Sequence, residues 1–291
     1  MLDASPLVRT RRRRPARRAP QEEPRQPVLI VLHQEHSTPG RVGHALAKLG
    51  YPLDVRRPRF GDPLPDTMQA HAGAVVFGGP MSANDEEEFV RQEIDWLRVP
   101  LREQKPMLGI CLGAQMLARH LGARVFCHVD QRAEVGYYPI RPTAEGFAIT
   151  PDWPACVYQW HREGFDLPPG AALLAEGDEA FPVQAFRYGP AAFAIQFHPE
   201  VTHAMMCRWT IRGQARFALP GAKGRAEHFA DRPVYDYGVR TWLRAFLDHW
   251  LVRQPQAGPQ TAQQRRAREV EEGLDSTMTG AETHKNIVEA R

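Results

Sequence analysis

Residues 106–122 read Pro106-Met-Leu-Gly-Ile-Cys-Leu-Gly-Ala-Gln-Met-Leu-Ala-Arg-His-Leu-Gly122. The run from Pro106 to Ile110 is apolar, as is typical of a strand buried in a parallel sheet. Leu112 to Leu121 is compatible with a helix, and Gly122 is a common signal for a helix C-terminus. These residues therefore predict a strand, a sharp turn at Cys111 and a helix.

The same alternation of strand and helix precedes this stretch. Residues 28–32 and 73–77 are apolar runs and predicted strands, and residues 53–55 (Leu-Asp-Val) are a plausible strand between them. Residues 41–49 and 86–97 are predicted helices. Alternating strands and helices indicate an α/β fold in which right-handed crossovers join a mostly parallel sheet.

The second half of the sequence has shorter strand-like pieces separated by turns. They lie at residues 125–127, 136–140, 157–160, 184–187 and 192–196. Apolar residues then recur at helical spacing, at Val239, Trp242, Leu243, Phe246, Leu247 and Trp250. We expect this last helix to pack on the sheet and to close the domain.

Charge separates a basic N-terminal arm from a nearly neutral body. The formal net charge is +3, but residues 1–27 carry eight arginines against three acidic residues, which leaves −2 for residues 28–291. We predict a disordered arginine-rich arm at 1–27, one globular domain at 28–253 and a disordered or marginally helical tail at 254–291. The body is not expected to bind nucleic acid, although the arm could contact nucleic acid, an anionic membrane or a partner protein.

Cysteine usage and hydropathy indicate the compartment. The four cysteines (Cys111, Cys127, Cys156 and Cys207) show no CxxC or other metal-ligand spacing. A body of this size is not a disulfide framework, so a reducing cytoplasm is the simplest setting. The sequence also lacks an uninterrupted apolar run of about 18 residues, so we expect no membrane span.

Cys111 has the surroundings of a nucleophile. It follows a predicted buried strand, between Gly109 and Gly113, and reactive groups in parallel sheets lie at the carboxyl ends of strands. Neighbours without a Cβ permit the sharp strand-to-helix turn of a nucleophile elbow. The helix N-terminus would stabilise a thiolate there, and the amide of Leu112 would face a developing oxyanion.

A thiol nucleophile needs an imidazole to accept its proton and a carboxylate to orient that imidazole. Both follow one predicted strand: residues 192–196 are followed by Phe197-His198-Pro199-Glu200. Pro199 restricts the backbone just beyond the strand, so His198 and Glu200 should project from a rigid turn. The other eleven histidines show no comparable pattern.

The segments 109–115 (Gly-Ile-Cys-Leu-Gly-Ala-Gln) and 196–200 (Gln-Phe-His-Pro-Glu) resemble the two signatures of class I glutamine amidotransferases, which use a Cys-His-Glu triad. The resemblance extends over roughly residues 28–201. It implies a three-layer, open, flavodoxin-like sheet with helices on both faces, and Cys111, His198 and Glu200 as the catalytic triad. Gly78-Gly79-Pro80 resembles the oxyanion loop of that family, in which the amides of Gly79 and Leu112 would bind the oxyanion.

The resemblance also suggests residues for substrate binding. Gln115 matches a position that helps to hold the substrate glutamine, and Glu134, Gly136 and His161 resemble the glutaminase domain of GMP synthase and its free-standing relatives. Where those relatives often have His-Gly-Asp, this sequence has His161-Arg-Glu163, so the rim of the site is expected to differ.

The resemblance implies that the thiolate attacks the side-chain amide of glutamine, forms a γ-glutamyl thioester and releases ammonia, without a metal or an organic cofactor. The sequence has no P-loop motif, so an acceptor site for the ammonia is expected on a synthetase partner chain. Two alternatives remain open. A γ-glutamyl hydrolase or peptidase would use the same thioester on γ-glutamyl amides or peptides, and a non-catalytic member would keep the fold as a binding module.

Overall fold

The computed structural model describes residues 25–251 of the 291-residue chain. The predicted tail at 254–291 lies outside the described residues, as does the predicted arm except for residues 25–27. Within the described range, no helix is both long enough and apolar enough to cross a membrane.

Strands and helices alternate through the first half of the described chain. In order they are β1 (Val28–Val31), α1 (Gly40–Lys48), β2 (Leu53–Arg56), β3 (Gly73–Val76), α2 (Glu88–Trp96), α3 (Arg98–Arg102), β4 (Met107–Ile110), α4 (Leu112–His120) and β5 (Val125–Cys127). Each strand and helix predicted in this half is confirmed to within two residues at either end, and α3 is additional.

The second half contains more regular structure than its apolar pattern predicts. Its elements are β6 (Glu134–Pro139), β7 (Arg141–Pro142), α5 (Ala144–Ile149), β8 (Cys156–His161), β9 (Glu163–Phe165), β10 (Ala172–Glu176), β11 (Val183–Tyr188), β12 (Ala192–Ile195), α6 (His203–Arg212) and α7 (Arg225–Leu251). The six apolar residues predicted to form one face are all buried on α7, which confirms that helix. It begins well before this face and includes Pro233.

Eight strands form the central sheet, in the order β2-β1-β3-β4-β12-β11-β10-β7. The strands from β2 to β12 are parallel, and the remaining three pair antiparallel. In the parallel pair of β4 and β12, Ile110 lies opposite Ile195. Because neighbouring parallel strands end at one edge of a sheet, the chain segments that contain Cys111 and His198 leave the sheet side by side.

Helices cover both faces of this sheet. The side chains of Val28 and Ile30 belong to a core shared with α1 and α7, and those of Leu29 and Val31 belong to a core shared with α2 and α4. The alternation of neighbouring side chains between two cores is what a fully buried strand requires. The predicted three-layer α/β architecture, with a mostly parallel sheet between helical layers, is confirmed.

Candidate active site

Cys111 forms the turn between β4 and α4, and its backbone is strained. Its φ of 50° and ψ of −104° are rarely adopted by residues with a side chain. The turn leaves no room for larger neighbours: a Cβ at Gly109 would lie 2.5 Å from the carbonyl oxygen of Gly113, and one at Gly113 would collide with the carbonyl oxygen of Val76. The glycines on either side of Cys111 are therefore required by close packing as well as by the bend.

His198 and Glu200 form a buried hydrogen-bonded pair. The Nδ1 atom of His198 lies 2.7 Å from Oε1 of Glu200, and the two residues are 5% and 3% exposed. The backbone amide of His198 donates to the carbonyl oxygen of Tyr158 at 2.8 Å, which anchors the turn to β8. Among the described residues, Nε2 of His198 has no hydrogen-bond partner apart from its contact with the neighbouring Cys111. This nitrogen is therefore free to exchange a proton with a reacting group.

Two opposing effects act on the protonation of His198. Burial lowers its pKa, but the negative charge of Glu200 and the neighbouring Cys111 outweigh burial, so the pKa of His198 lies above its ordinary value. A raised pKa favours an imidazolium ring, which in turn stabilises a thiolate beside it.

Gly78 and Trp209 show how closely Cys111 and His198 are packed. A Cβ at Gly78 would lie 2.9 Å from Cε1 of His198 and 3.3 Å from Cβ of Cys111, so both side chains approach the same point. The ring of Trp209 meets the imidazole edge to face, with 5.0 Å between centroids. The imidazole is thus confined between the Gly78 loop and α6.

The loop that contains Gly78 and Gly79 lies against the N-terminus of α4. A Cβ at Gly79 would be 2.9 Å from Cδ2 of Leu112. The Leu112 amide is the first of the helix and has no acceptor within it. The Gly79 amide makes no hydrogen bond with the described part of the chain. The loop therefore packs on Leu112, and neither of the two amides that the resemblance assigns to an oxyanion hole is engaged by the described residues.

A second buried histidine holds this loop. Nδ1 of His33 lies 3.2 Å from the carbonyl oxygen of Gly78, and Nε2 lies 2.7 Å from Oε2 of Glu93 on α2. His33 is fully buried and Glu93 is 2% exposed. Nδ1 donates to the carbonyl, because a carbonyl oxygen can only accept. The pair thereby ties the loop to α2.

Glu200 is held through its backbone as well as by His198. The amide of Arg41 donates to the carbonyl oxygen of Glu200 at 2.9 Å. Gly40, with φ of 51°, lies so close that a Cβ there would collide with the same carbonyl oxygen. The N-terminus of α1 therefore sets the position of the turn that contains His198 and Glu200.

The four residues predicted to bind substrate lie behind the triad and do not line its cleft. Gln115 donates through Nε2 to the carbonyl oxygen of Glu163 at 2.9 Å. Glu134 and His161 face each other across β6 and β8, with 2.8 Å between Oε2 and Nε2. Gly136, with φ of 124°, packs against Lys223. The structure thus brings the side chains of Gln115, Glu134 and His161 into a buried polar layer that supports the strands next to the site.

An open cleft of about 510 Å³ contains the triad. The Gly78–Pro80 loop and the segment after β1 form one side, and α6 with the residues that follow it forms another. Its charged and aromatic lining residues outside the triad are Glu35, His36, Arg59, Phe60, Phe77, Trp160, Arg208, Trp209, Arg212 and Arg216. This cleft is large enough for a ligand bigger than a single amino acid.

Sequence reasoning missed several of these residues. Met205 and Met206 of α6 are buried in a small core cluster, and the sequence motifs gave Trp209 no role in the site. Trp209 is only partly buried, because one edge of its ring faces His198 and the cleft. No motif marked His33 or Glu93. The one available signal was a histidine directly after a buried strand, at the sheet edge where reactive groups lie.

The described residues contain no group of three or more His, Cys, Asp or Glu side chains arranged to hold a metal ion. The histidine–carboxylate pairs of the site are engaged with each other or with backbone carbonyls.

Comparisons with known sequences match most of the described chain. The family model for "Glutamine amidotransferase class-I" matches residues 33–208. The glutamine amidotransferase-like protein YfeJ of Salmonella typhimurium is 30% identical over 239 residues, covering 79% of this chain and 99% of YfeJ. GMP synthase of Paraburkholderia phytofirmans is 33% identical over 175 residues, which are 54% of this chain and only 30% of that enzyme.

Solved structures resemble the chain over a similar extent. A glutamine amido transferase from Methylobacillus flagellatus superposes with a TM-score of 0.72 at 25% identity, covering 81% of this chain and 98% of that one. A glutamine amidotransferase from Thermotoga maritima gives 0.69 at 28% identity, covering 77% and 97%.

Proposed function

The chain belongs to the class I glutamine amidotransferase family, and from this premise we propose that it hydrolyses the side-chain amide of glutamine through a thioester on Cys111. One observation carries the proposal. A cysteine strained at the N-terminus of α4 shares a cleft with a buried His198–Glu200 pair whose Nε2 atom has no hydrogen-bond partner among the described residues other than this cysteine.

In the proposed mechanism, His198 accepts the thiol proton, and the thiolate of Cys111 attacks the side-chain carbonyl carbon of glutamine. The amides of Leu112 and Gly79 donate to the oxyanion, which such donors stabilise by about 3–4 kcal/mol each in other enzymes. His198 returns its proton to the amide nitrogen as the C–N bond breaks, and ammonia leaves. Water then attacks the thioester with His198 as base, which releases glutamate and restores the thiol.

We further propose that the ammonia passes to an acceptor site on another chain. The matched segment is 30% of the GMP synthase of Paraburkholderia phytofirmans. The sequence has no P-loop motif for a nucleotide-dependent acceptor reaction. A synthetase partner in the cytoplasm is the simplest arrangement that uses the ammonia. Gln115, Glu134, Gly136 and His161 would then support the glutamine site from behind its wall.

The second candidate function is γ-glutamyl hydrolysis, in which an amine rather than ammonia leaves. The volume of the cleft favours it, since about 510 Å³ exceeds what glutamine alone requires. The two functions share every step of the thioester mechanism and differ only in the leaving group.

Glutamate release by the purified full-length chain tests the proposal. The wild type would be assayed with glutamine and with γ-glutamylglycine beside two variants, Cys111→Ala and Cys127→Ala, the latter removing an exposed cysteine outside the cleft. We expect turnover that persists in Cys127→Ala and vanishes in Cys111→Ala. Activity that survives Cys111→Ala would overturn the mechanism. A folded wild type that hydrolyses neither compound would favour the non-catalytic alternative.

A further inference from the structure

Three arginines share one wall of the cleft. α6 begins three residues after Glu200, and Thr202 caps it by accepting a hydrogen bond from the amide of Met205. Arg208 and Arg212 are one helical turn apart, and Arg216 follows in a short 3₁₀ helix. All three line the cleft. The spacing of Arg208 and Arg212 places these two side chains on one face of α6, and Arg216 reaches the same cleft from the segment after that helix.

These arginines lack the carboxylate partners that other arginines of the chain have. Arg41 pairs with Asp236 at 2.6 Å and Arg124 with Asp166 at 3.0 Å. Within residues 25–251, none of the three cleft arginines forms such an ion pair. Their positive charges are therefore not neutralised by an ion pair with any described residue.

Arg216 is the innermost of the three. Its side chain is only partly exposed, and Nη1 lies 3.5 Å from the carbonyl oxygen of Trp160, a marginal distance for a hydrogen bond. Burial lowers its pKa most and Arg162 lowers it further, whereas the nearby Cys111 and Glu163 oppose this lowering. Glu163 forms no ion pair with Arg216, and a half-buried guanidinium without a directly paired carboxylate is costly unless a ligand supplies the anion.

The balance of charge across the cleft is positive. Arg59 lies on another part of the wall, with its guanidinium 5.9 Å from the ring centre of Phe60. Two carboxylates line the same space, but Glu200 is engaged by His198, which leaves Glu35. Four arginines facing one free carboxylate in a concave site attract anions.

The chemistry of the reaction indicates which part of a substrate meets this wall. His198 protonates the leaving nitrogen in the mechanism proposed above, so that nitrogen must lie on the His198 side of the scissile bond. Trp209 of α6 packs on His198, and Arg208 and Arg212 of the same helix line the cleft together with Trp209. A group attached to the leaving nitrogen therefore extends towards the arginines of α6.

We propose that the cleft binds γ-glutamyl compounds whose leaving group carries a carboxylate, held by Arg208, Arg212 and Arg216. This inference rests on the proposed thioester chemistry at Cys111. Arginine is suited to this role because its planar group can bind a carboxylate through two parallel hydrogen bonds. The substrate class is thus γ-glutamyl amino acids or peptides.

Two matched compounds test the inference: γ-glutamylglycine, with a carboxylate on the leaving group, and γ-glutamylglycinamide, its neutral counterpart. Both carry the same α-carboxylate, so their ratio isolates the leaving-group charge. Affinities would be measured by calorimetry with Cys111→Ala, which cannot turn the compounds over, and kcat/KM with the wild type. We expect a preference of about 10- to 100-fold for γ-glutamylglycine, the range for one charged hydrogen-bonded contact.

Arg212→Gln, in the wild-type and the Cys111→Ala backgrounds, should reduce that preference several-fold. Arg91→Gln changes an exposed arginine of α2 outside the cleft and should keep it. Equal affinities for the two compounds would overturn the inference, as would an Arg212→Gln variant that weakens both equally, since the arginine would then bind the α-carboxylate. Hydrolysis with equal affinities leaves the proposed function intact. A binding preference without any hydrolysis by the wild type supports the anion site and overturns the proposed function.

Discussion

The backbone of Cys111 is strained, and we attribute the presence of a side chain at this position to the proposed role of its thiol. At φ of 50° and ψ of −104°, a residue with a Cβ is strained by about 1–3 kcal/mol, whereas glycine adopts positive φ readily. We therefore predict that Cys111→Gly is more stable than Cys111→Ala by about 1 kcal/mol, after allowing for the greater flexibility of glycine in the unfolded chain. Both variants should be inactive.

Urea denaturation of the two variants measures this difference directly. The matched comparison is Cys207→Gly against Cys207→Ala, because Cys207 lies within α6. At this helical position the Cys207→Gly variant should be less stable than Cys207→Ala by about 0.5–1 kcal/mol. If glycine were also the less stable at Cys111, the turn would not be strained in the way described.

The raised pKa of His198 determines how activity should depend on pH. A raised pKa keeps His198 in its imidazolium form, the acid that protonates the leaving nitrogen, to higher pH. Glu200→Gln removes the negative charge that raises this pKa, so the imidazolium should be lost at lower pH. We predict that the alkaline limb of kcat/KM shifts to lower pH and that kcat falls by about 10²- to 10⁴-fold.

The pH dependence of kcat/KM for the wild type and Glu200→Gln provides the measurement. Asp54→Asn serves as the control, because it removes a carboxylate that contacts another histidine, His71, at 3.0 Å outside the cleft. The alkaline limb of kcat/KM for Asp54→Asn should lie at the same pH as that of the wild type. A limb that stays unchanged in Glu200→Gln would exclude His198 as the titrating group.

Sequence reasoning at the residue scale depended on motifs. Cys111, His198 and Glu200 were selected because each follows a buried strand in a motif, and the structure brings the three to one cleft. His33 and Glu93 could not be paired in advance, since they are 60 residues apart and neither belongs to a motif. Their contact depends on how α2 packs against the sheet, which the sequence pattern does not reveal.

At the scale of elements, α2 is predicted to support catalysis through the His33–Glu93 pair. Glu93→Gln replaces a buried carboxylate by a neutral amide of similar shape and weakens the hold of His33 on the Gly78 carbonyl. Because the oxyanion forms only in the transition state, kcat should fall by at least about 10-fold while KM changes little. Glu88→Gln, on an exposed position of the same helix, should have no effect. Steady-state kinetics distinguish this result from a general loss of folded protein, which would be checked by circular dichroism.

The N-terminus of α1 is predicted to control the turn that contains Glu200. Gly40→Ala introduces a Cβ that collides with the carbonyl oxygen of Glu200 at a position with φ of 51°. Gly122→Ala is the matched control, because φ there is 83° and a Cβ would meet nothing within 4 Å. Both variants should lose about 1–2 kcal/mol of stability from the positive φ, but only Gly40→Ala should also lose activity, by about 10-fold or more. Equal activity in the two variants would show that α1 does not position the triad.

The elements themselves were predicted unevenly. In the first half, each buried strand reads as a continuous apolar run because helices cover both of its faces, and these runs were found. α6 was missed because its polar cleft-facing residues interrupt the apolar pattern. The first half of α7 was missed because Pro233 normally ends a helix. Tertiary packing outweighs local preference in both cases.

At the scale of the whole molecule, the parallel pairing of β4 and β12 creates the site. Cys111 and His198 are 87 residues apart in the sequence, yet they follow neighbouring strands of one sheet. The antiparallel strands β11, β10 and β7 extend the sheet beyond β12, and β8 provides the carbonyl that anchors His198. The chemistry therefore depends on helices covering both faces of the sheet, and α7 covers much of one face.

This dependence yields a prediction about where the chain can be shortened. Trp250 is fully buried in the core between α7 and the sheet, and Leu251 packs against the same core. A chain of residues 25–251 should keep the thermal stability and the glutamate release of the full chain, because it contains every core residue of the described fold. A chain of residues 25–248 lacks Trp250 and Leu251 and should lose at least about 3–5 kcal/mol, the usual cost of deleting a buried tryptophan side chain.

Thermal melts and glutamate release for the full chain and the two shortened chains test this prediction together with the role of the arginine-rich arm. Residues 1–27 hold a net charge of +5, whereas the rest of the chain is slightly acidic. If the arm binds nucleic acid, the full chain should bind duplex DNA with a strong salt dependence, and the chain of residues 25–251 should not. If instead residues 25–251 melt well below the full chain or lose glutamate release, the residues outside the described fold contribute to its stability or to its active site. The prediction that one domain carries the chemistry would then be wrong.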